Sequence, residues 1–270
     1  IMQGNYKKFD PRSIMNDYVD EFIRKMRMSG LISLRGAGRF IDINHNEDNK
    51  VDYILNNYSD YERFDDEHKY FEYMSKIDKN LIAQKAEVVS EEKTNDLLSE
   101  WLKTYKWNKI KEELHILATR KTSKDNVLKF LAAPVRLEFL TALAIKSKLP
   151  SVMVKPNYSC DDTGLPTSTA GGNKGDIECF ENGNGILVEV TMAEGRTQTM
   201  MEIWPIQRHL SEFIAEYKIS SQCVFVAPSI FSDSKDQIEW VKDRKNLIIR
   251  DYPIDEFSEY LERESQLYKY

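Results

Sequence analysis

Two carboxylates flank a predicted β-hairpin in the segment GDIECFENGNGILVEVTMAEG, residues 175–195. The dipeptide Asn182-Gly183 favours a two-residue type I′ turn, because both central residues of that turn need positive φ. With this turn at the centre, Asp176 lies opposite Glu189, and directly opposite residues have Cβ atoms about 4.5–5.5 Å apart. Two carboxylates at that distance can act as an acid–base pair or bind a hard divalent cation such as Mg²⁺.

Two other arrangements of this segment remain open in the sequence. The competing turn Asn184-Gly185 shifts the pairing by four residues and separates the two acids. Alternatively, both acids lie on a solvent-facing sheet, where Lys174 or Arg196 nearby compensates their charge. The first register places apolar residues together on one face and the acids on the other, and it is the register we predict.

Helical segments on either side of the hairpin carry further candidate groups. Glu138 lies in an apolar helix, where it is either directed outward or paired inside. Glu202 and His209 are seven residues apart and therefore share one face of a helix over 197–217, which must pack over the sheet. Acids from two helices and two strands can converge on one metal-binding end of the fold.

The elements that position these residues follow a mixed pattern. From residue 124 we predict a helix to 149 that Pro134 kinks or splits, a strand at 151–158, a loop at 159–175, hairpin strands at 176–181 and 185–193, a helix at 197–217 bent near Pro205, a strand at 222–228, a helix at 233–244, a strand at 247–252 and a helix from 254. A hairpin combined with helical crossovers predicts an α/β fold with a mixed sheet and helices on both faces.

The N-terminal part of the chain has a different pattern. Residues 13–32 have helical spacing, and two short strands then flank the glycine-rich turn at 36–38, which resembles the end of a winged-helix unit. Such units bind either DNA or proteins. We therefore predict a winged-helix-like linker subdomain over 1–75, connecting helices over 76–118 and a third unit over 119–270.

Composition limits the class of protein. The net charge over 270 residues is −6, whereas a protein that held nucleic acid by charge alone would be basic. This indicates either no nucleic-acid role or a catalytic unit whose affinity comes from elsewhere. Cys160, Cys179 and Cys223 form no CxxC pair, which predicts free, buried thiols in a reduced, cytoplasmic protein. No apolar run approaches the roughly 18–20 residues that span a bilayer.

The order of Glu138, Gly175-Asp176 and the VEVT sequence that contains Glu189 resembles the PD-(D/E)xK nuclease core of type II restriction endonucleases. Residues 120–220 resemble more specifically the cleavage domain of type IIS and nicking endonucleases, in particular the large, strand-nicking subunit of heterodimeric enzymes. The resemblance implies a restriction-endonuclease-like mixed sheet flanked by helices, with the nuclease domain over 119–270 preceded by a small winged-helix-like or helical linker domain.

The resemblance also implies a function. It indicates a Mg²⁺-dependent hydrolase, an endodeoxyribonuclease that cuts one strand of double-stranded DNA, with Mn²⁺ able to substitute. A small nuclease subunit would cut the other strand, and an N-terminal recognition domain would precede this chain, which would explain why IMQGNYKKFD does not resemble a natural start. The alternatives are another PD-(D/E)xK nuclease, such as a resolvase, and a non-catalytic DNA- or protein-binding module with a degenerate nuclease fold.

Residue by residue, the resemblance implies a specific site. It assigns divalent metal binding to Glu138, Asp176, Glu189 and the backbone carbonyl of Val190, and further catalytic roles to Glu202 and His209. Two positions depart from the superfamily pattern, because Thr191 stands where a lysine is expected and Gly175 where a proline is expected. His209, Lys174 or a second metal ion held with Glu202 are the candidates to replace that lysine.

Overall fold

The structure, a computed structural model, describes residues 15, 18–36, 40–58, 63–76, 91–172 and 174–269. The chain divides into two compact units, one of residues 1–35 and 39–88 and one of residues 36–38 and 89–270. Among the described residues, no helix is long and apolar enough to cross a membrane.

The first unit begins, in its described part, with helix α1 (Val19–Met28), which covers the centre of the helix expected over 13–32. Strands β1 (Ile32–Arg35) and β2 (Phe40–Ile43) then pair antiparallel, as the sequence pattern predicts. Helices α2 (Asp48–Tyr58) and α3 (Glu67–Ser75) follow. Residues 13–14 and 16–17 of the expected helix and 37–38 of the expected turn lie outside the described residues.

The second unit contains the predicted mixed sheet. Its elements are α4 (Glu91–Thr104), α5 (Trp107–Ala118), α6 (Ala133–Lys148), β3 (Met153–Pro156), β4 (Tyr158–Cys160), β5 (Pro166–Ala170), β6 (Ile177–Glu181), β7 (Asn184–Val190), α7 (Gly195–Met201), α8 (Ile203–Tyr217), β8 (Ser221–Ala227), α9 (Ser232–Lys245), β9 (Ile249–Pro253) and α10 (Ile254–Arg263). The main sheet has the order β3-β6-β7-β8-β9, in which β3, β6 and β7 are antiparallel neighbours and β7, β8 and β9 run parallel. The prediction of an α/β fold with a mixed sheet is confirmed.

Helices cover both faces of this sheet. On one face α6 and α10 pack against residues such as Ile177 and Val188. On the other face α8 and α9 pack against residues such as Leu187 and Phe225. Because parallel strands need helical crossovers, β7 and β8 are covered on both sides and consist almost entirely of buried residues. Helix α6 is mostly apolar and has no single polar face, and it is buried on all sides from Val135 to Ile145.

The hairpin has the register that the Asn-Gly turn predicts. Ile177 pairs with Val188 and Cys179 with Ile186. Asn182 and Gly183 have φ values of 50° and 80°, as a type I′ turn requires. The competing turn at Asn184-Gly185 is therefore excluded. Continued by one residue, this register places Asp176 and Glu189 opposite each other.

Several local expectations were wrong. Pro134 does not kink a long helix, because α6 begins at Ala133 and the proline lies in its first turn, where the missing N–H costs no hydrogen bond. The loop expected over 159–175 contains β5, which pairs with β4. The helix expected over 197–217 is two helices that meet at Glu202. Cys179 and Cys223 are buried free thiols, whereas Cys160 is exposed.

Candidate active site

One pocket of about 310 Å³ collects the residues that the sequence assigned to the site. They are Glu138 from α6, Asp176 before β6, Glu189 and Val190 at the end of β7, and Glu202 and His209 from the start and the middle of α8. The pocket lies at the carboxyl end of β7, which is where open α/β sheets generally bind ligands. The predicted convergence of acids from two helices and the hairpin is therefore present in the structure.

Asp176 is held by the backbone of the neighbouring strand. The N–H of Val190 donates a hydrogen bond to Asp176 Oδ2 at 2.8 Å. Burial raises the pKa of Asp176 well above its ordinary value, and the charges of Glu189 and Glu138 raise it further. The hairpin thus brings negative charges close together, and binding of a proton or a cation would reduce their repulsion.

Glu189 is paired with His209. The two side chains are each 8% exposed, and His209 Nδ1 lies 2.9 Å from Glu189 Oε1. This hydrogen bond is the main cause of a raised pKa at His209, and the backbone of Gly172 contributes in the same direction. Burial raises the pKa of Glu189, while the bond to His209 opposes that change. His209 therefore fixes the orientation of Glu189.

Glu138 is directed inward, so the outward orientation that the sequence alone favours is wrong. Its side chain is 3% exposed, and the N–H of Ala170 donates to Glu138 Oε2 at 3.0 Å. Burial is the main cause that raises the pKa of Glu138 to about 7. A carboxyl of this kind is poised between its neutral and charged forms near neutral pH.

Thr191, which occupies the position of the expected lysine, contacts an acid of the pocket. Its hydroxyl donates to Glu202 Oε1 at 2.8 Å and accepts the N–H of Ala193 at 3.0 Å. The hydroxyl is thus fixed by two hydrogen bonds, and it orients Glu202. Where a lysine would add positive charge, this chain has a neutral group that positions a further carboxylate.

Sequence reasoning missed a buried amide that supports the same loop. Gln198 is fully buried, donates to the carbonyls of Ala193 and Ser229, and accepts the N–H of Phe231. It ties the segment after β7 to the segment after β8. Arg120 also donates to the carbonyl of Met192 at 3.0 Å. No local pattern identifies these residues, because their partners are distant in the sequence.

Gly175 is required by packing around Glu189. A Cβ at this position would lie 2.4 Å from Leu187 Cδ1 and 2.8 Å from Glu189 Oε1. Such distances are not tolerated without a shift of the neighbouring side chains. The structure therefore accounts for glycine at the position where the PD-(D/E)xK pattern has proline.

The donor chemistry of the pocket suits a hard divalent cation, since carboxylate and carbonyl oxygens are the ligands that Mg²⁺ prefers. Within the described residues, however, no group of three or more His, Cys, Asp or Glu side chains is already arranged around a metal position. The acids instead hydrogen-bond to protein donors, as shown for Asp176, Glu189 and Glu202. Metal binding here would require these side chains to redirect oxygens into the pocket.

A mixed sheet with helices on both faces and a carboxylate pocket at its edge is the arrangement that the sequence resemblance implies. Residues 89–246 match the model of the AlwI restriction endonuclease family. This match spans more than half of the chain, which therefore belongs to that family of DNA-cleaving nucleases. The resemblance to restriction endonucleases is thus confirmed at the level of family.

Curated proteins and solved structures add little to the family assignment. No curated protein matches the chain. Among solved structures, the small subunit of the heterodimeric restriction endonuclease R.BspD6I is similar, with 23% identity and a TM-score of 0.45. That similarity covers 62% of this chain and 75% of the other.

Replacing Gly175 by Ala should destabilise the protein and disturb Glu189. The added methyl group overpacks the site, which we expect to lower the free energy of unfolding by about 1–3 kcal/mol. Urea denaturation of the wild type and the variant measures this change. Gly171→Ala is the matched control, because a Cβ there meets nothing within 4 Å. Equal unfolding free energies for all three proteins would refute this packing argument.

Proposed function

We propose that this chain is a Mg²⁺-dependent endodeoxyribonuclease that hydrolyses a phosphodiester bond in one strand of double-stranded DNA. The observation that carries the proposal is the convergence of Glu138, Asp176, Glu189 and Glu202 on one pocket. Family membership supplies the reaction class, and the donor set supports the cation. Mn²⁺, which also accepts oxygen ligands, should substitute for Mg²⁺.

Asp176, Glu189, Glu138 and the carbonyl of Val190 are the proposed metal ligands. Three acids that share one pocket repel one another, and a divalent cation replaces this repulsion by attraction. Burial and the same repulsion raise the pKa values of Asp176 and Glu189. A bound metal ion supplies activation of water and stabilisation of the charge that develops on the phosphate.

The remaining groups of the pocket hold the ligands in place. His209 orients Glu189, and Thr191 orients Glu202 through its hydroxyl. The N–H of Val190 fixes one oxygen of Asp176. Contacts of this kind around a metal site set the orientation of its ligands, and their loss commonly reduces metal affinity or activity.

Cleavage of one strand is part of this proposal, since the proposed carboxylate site acts on one phosphodiester bond at a time. We propose that a small nuclease subunit cuts the other strand and that an upstream recognition domain supplies sequence-specific binding. The net charge of −6 supports a recognition element outside this chain, because the chain itself lacks the basic surplus of a DNA-binding protein.

Substituting Asp176 or Glu189 by Ala should abolish cleavage while the fold persists. Each change removes a proposed ligand and also a buried negative charge, so stability need not fall. The measurement is conversion of supercoiled plasmid to nicked circle with Mg²⁺ and with EDTA, and circular dichroism checks the fold. Glu239→Ala, on the exposed surface of α9, is the control and should cut like wild type.

The product and the metal dependence test the rest of the proposal. Nicked circles should accumulate before linear molecules, and calorimetry should show Mg²⁺ or Mn²⁺ binding at millimolar concentration that Glu189→Ala loses. Retained nicking by Asp176→Ala would overturn the assignment of the site. Absence of both cleavage and metal binding in the wild type would favour the non-catalytic module, for which Thr191 in place of lysine is the supporting observation.

Thr191→Val should reduce cleavage because it removes both hydrogen bonds of the hydroxyl while keeping the shape of the side chain. Loss of a contact that orients a ligand typically costs about 10–100-fold in activity or metal affinity. Thr191→Ser retains the hydroxyl and should recover most of the rate in the same plasmid assay. If valine and serine gave equal rates, the hydroxyl would have no role in positioning Glu202.

A further inference from the structure

Two adjacent glycines line the carboxylate pocket without a structural need for glycine. Gly171 and Gly172 are exposed, and a Cβ at either position would meet nothing within 4 Å. Neither glycine has the positive φ that restricts a position to glycine, as Gly183 does. Gly175 differs, because packing against Leu187 and Glu189 requires it. Within the described structure, therefore, neither packing nor backbone conformation requires glycine at positions 171 and 172.

Glycine has a cost in such a position, since it loses more conformational freedom on folding than any other residue. A close approach of a ligand to the backbone is one of the situations that require glycine. Since both glycines face the pocket rather than the core, the approaching group would come from outside the chain. In a nuclease, the molecule that enters this pocket is the DNA strand to be cut.

The segment that carries these glycines is fixed to the acids of the pocket. Directly before it, the N–H of Ala170 donates to Glu138. Gly172 and His209 line the same pocket, and His209 Nδ1 lies 2.9 Å from Glu189 Oε1. The N–H of Lys174 donates to the carbonyl of Gly171 at 3.1 Å. A group bound by this segment would thus be held at a defined position relative to the proposed metal ligands.

Lys174 supplies a positive charge that a phosphate entering the pocket would need. A phosphate entering this pocket meets four carboxylates, which repel it. Of the described residues that line the pocket, Lys174 and His209 are the basic ones, and His209 is hydrogen-bonded to Glu189. The side chain of Lys174 is exposed at the pocket and carries the positive charge that Thr191 lacks.

We propose that Gly171, Gly172 and Lys174 form a contact site for the sugar-phosphate backbone of the strand to be cut. The glycines permit close approach of the backbone, and the Lys174 ammonium binds a phosphate oxygen. This inference rests on the proposed nuclease function and adds to it the residues that position the substrate.

Two variants of the full chain test the proposal, with Lys242→Gln on the surface of α9 as a matched control. Lys174→Gln should raise KM for plasmid nicking. In fluorescence anisotropy with a duplex oligonucleotide in EDTA, it should also reduce the slope of log affinity against log salt by about 0.9, the value for one phosphate contact. The double variant Gly171→Ala/Gly172→Ala should leave that slope unchanged but lower kcat about 100-fold, as expected for a displacement of the phosphate by about 1 Å.

Thermal unfolding identifies any folding defect, and we expect unchanged or slightly raised midpoints, since the added methyl groups enter open space. Wild-type values of kcat, KM and salt slope in both variants would overturn the inference and leave the nuclease function standing. A wild-type chain that neither nicks plasmid nor binds Mg²⁺ or Mn²⁺ would instead overturn the proposed function, and the inference with it.

Discussion

Four carboxylates share one end of the central sheet, and holding these like charges together is the constraint on which the rest of the site depends. Burying a carboxylate is costly unless it is paired or hydrogen-bonded. Here each acid has a protein donor, namely a backbone N–H for Asp176 and Glu138, an imidazole for Glu189 and a hydroxyl for Glu202. These donors orient the acids, while burial and mutual repulsion still raise the pKa values of Asp176 and Glu138. In the proposed function, a divalent cation would offset this cost.

The sheet makes that concentration of charge tolerable, because the acids occupy its margin while its centre is apolar on both faces. Leu187 and Glu189 lie two residues apart on β7 and hence on the same face. Leu187 packs under α8, and Glu189 meets His209 of the same helix. One helix thus buries an apolar residue and pairs a charged one. A substitution that shifted α8 would therefore change both the core packing and the orientation of a proposed metal ligand.

Features of the fold and site that depend on residues close in the sequence could be predicted, whereas those that depend on distant residues could not. The hairpin register follows from Asn182-Gly183 alone, because the turn fixes the pairing of adjacent strands, and the shared face of Glu202 and His209 follows from helical spacing. The break between α7 and α8 and the β4–β5 pair were not predicted, since tertiary contacts decide them. Gln198 could not be identified at all, because it joins two loops that only the folded sheet brings together. The family resemblance named the acids, and the structure added what holds them.

Thr191 shows how the chain departs, in electrostatic terms, from the PD-(D/E)xK pattern that its sequence resembles. A lysine two residues after Glu189 would place a positive charge on the strand itself, beside the acids. The threonine instead binds Glu202, so the strand contributes no cation and the pocket gains a fixed carboxylate. In the proposed function, the positive charge that a phosphate requires comes from another element or from a further metal ion. Lys174, in the segment before Asp176, is exposed at the pocket, where it would contact a phosphate at the entrance. Separating this cation from the strand would leave the acids of the hairpin to the proposed metal ion.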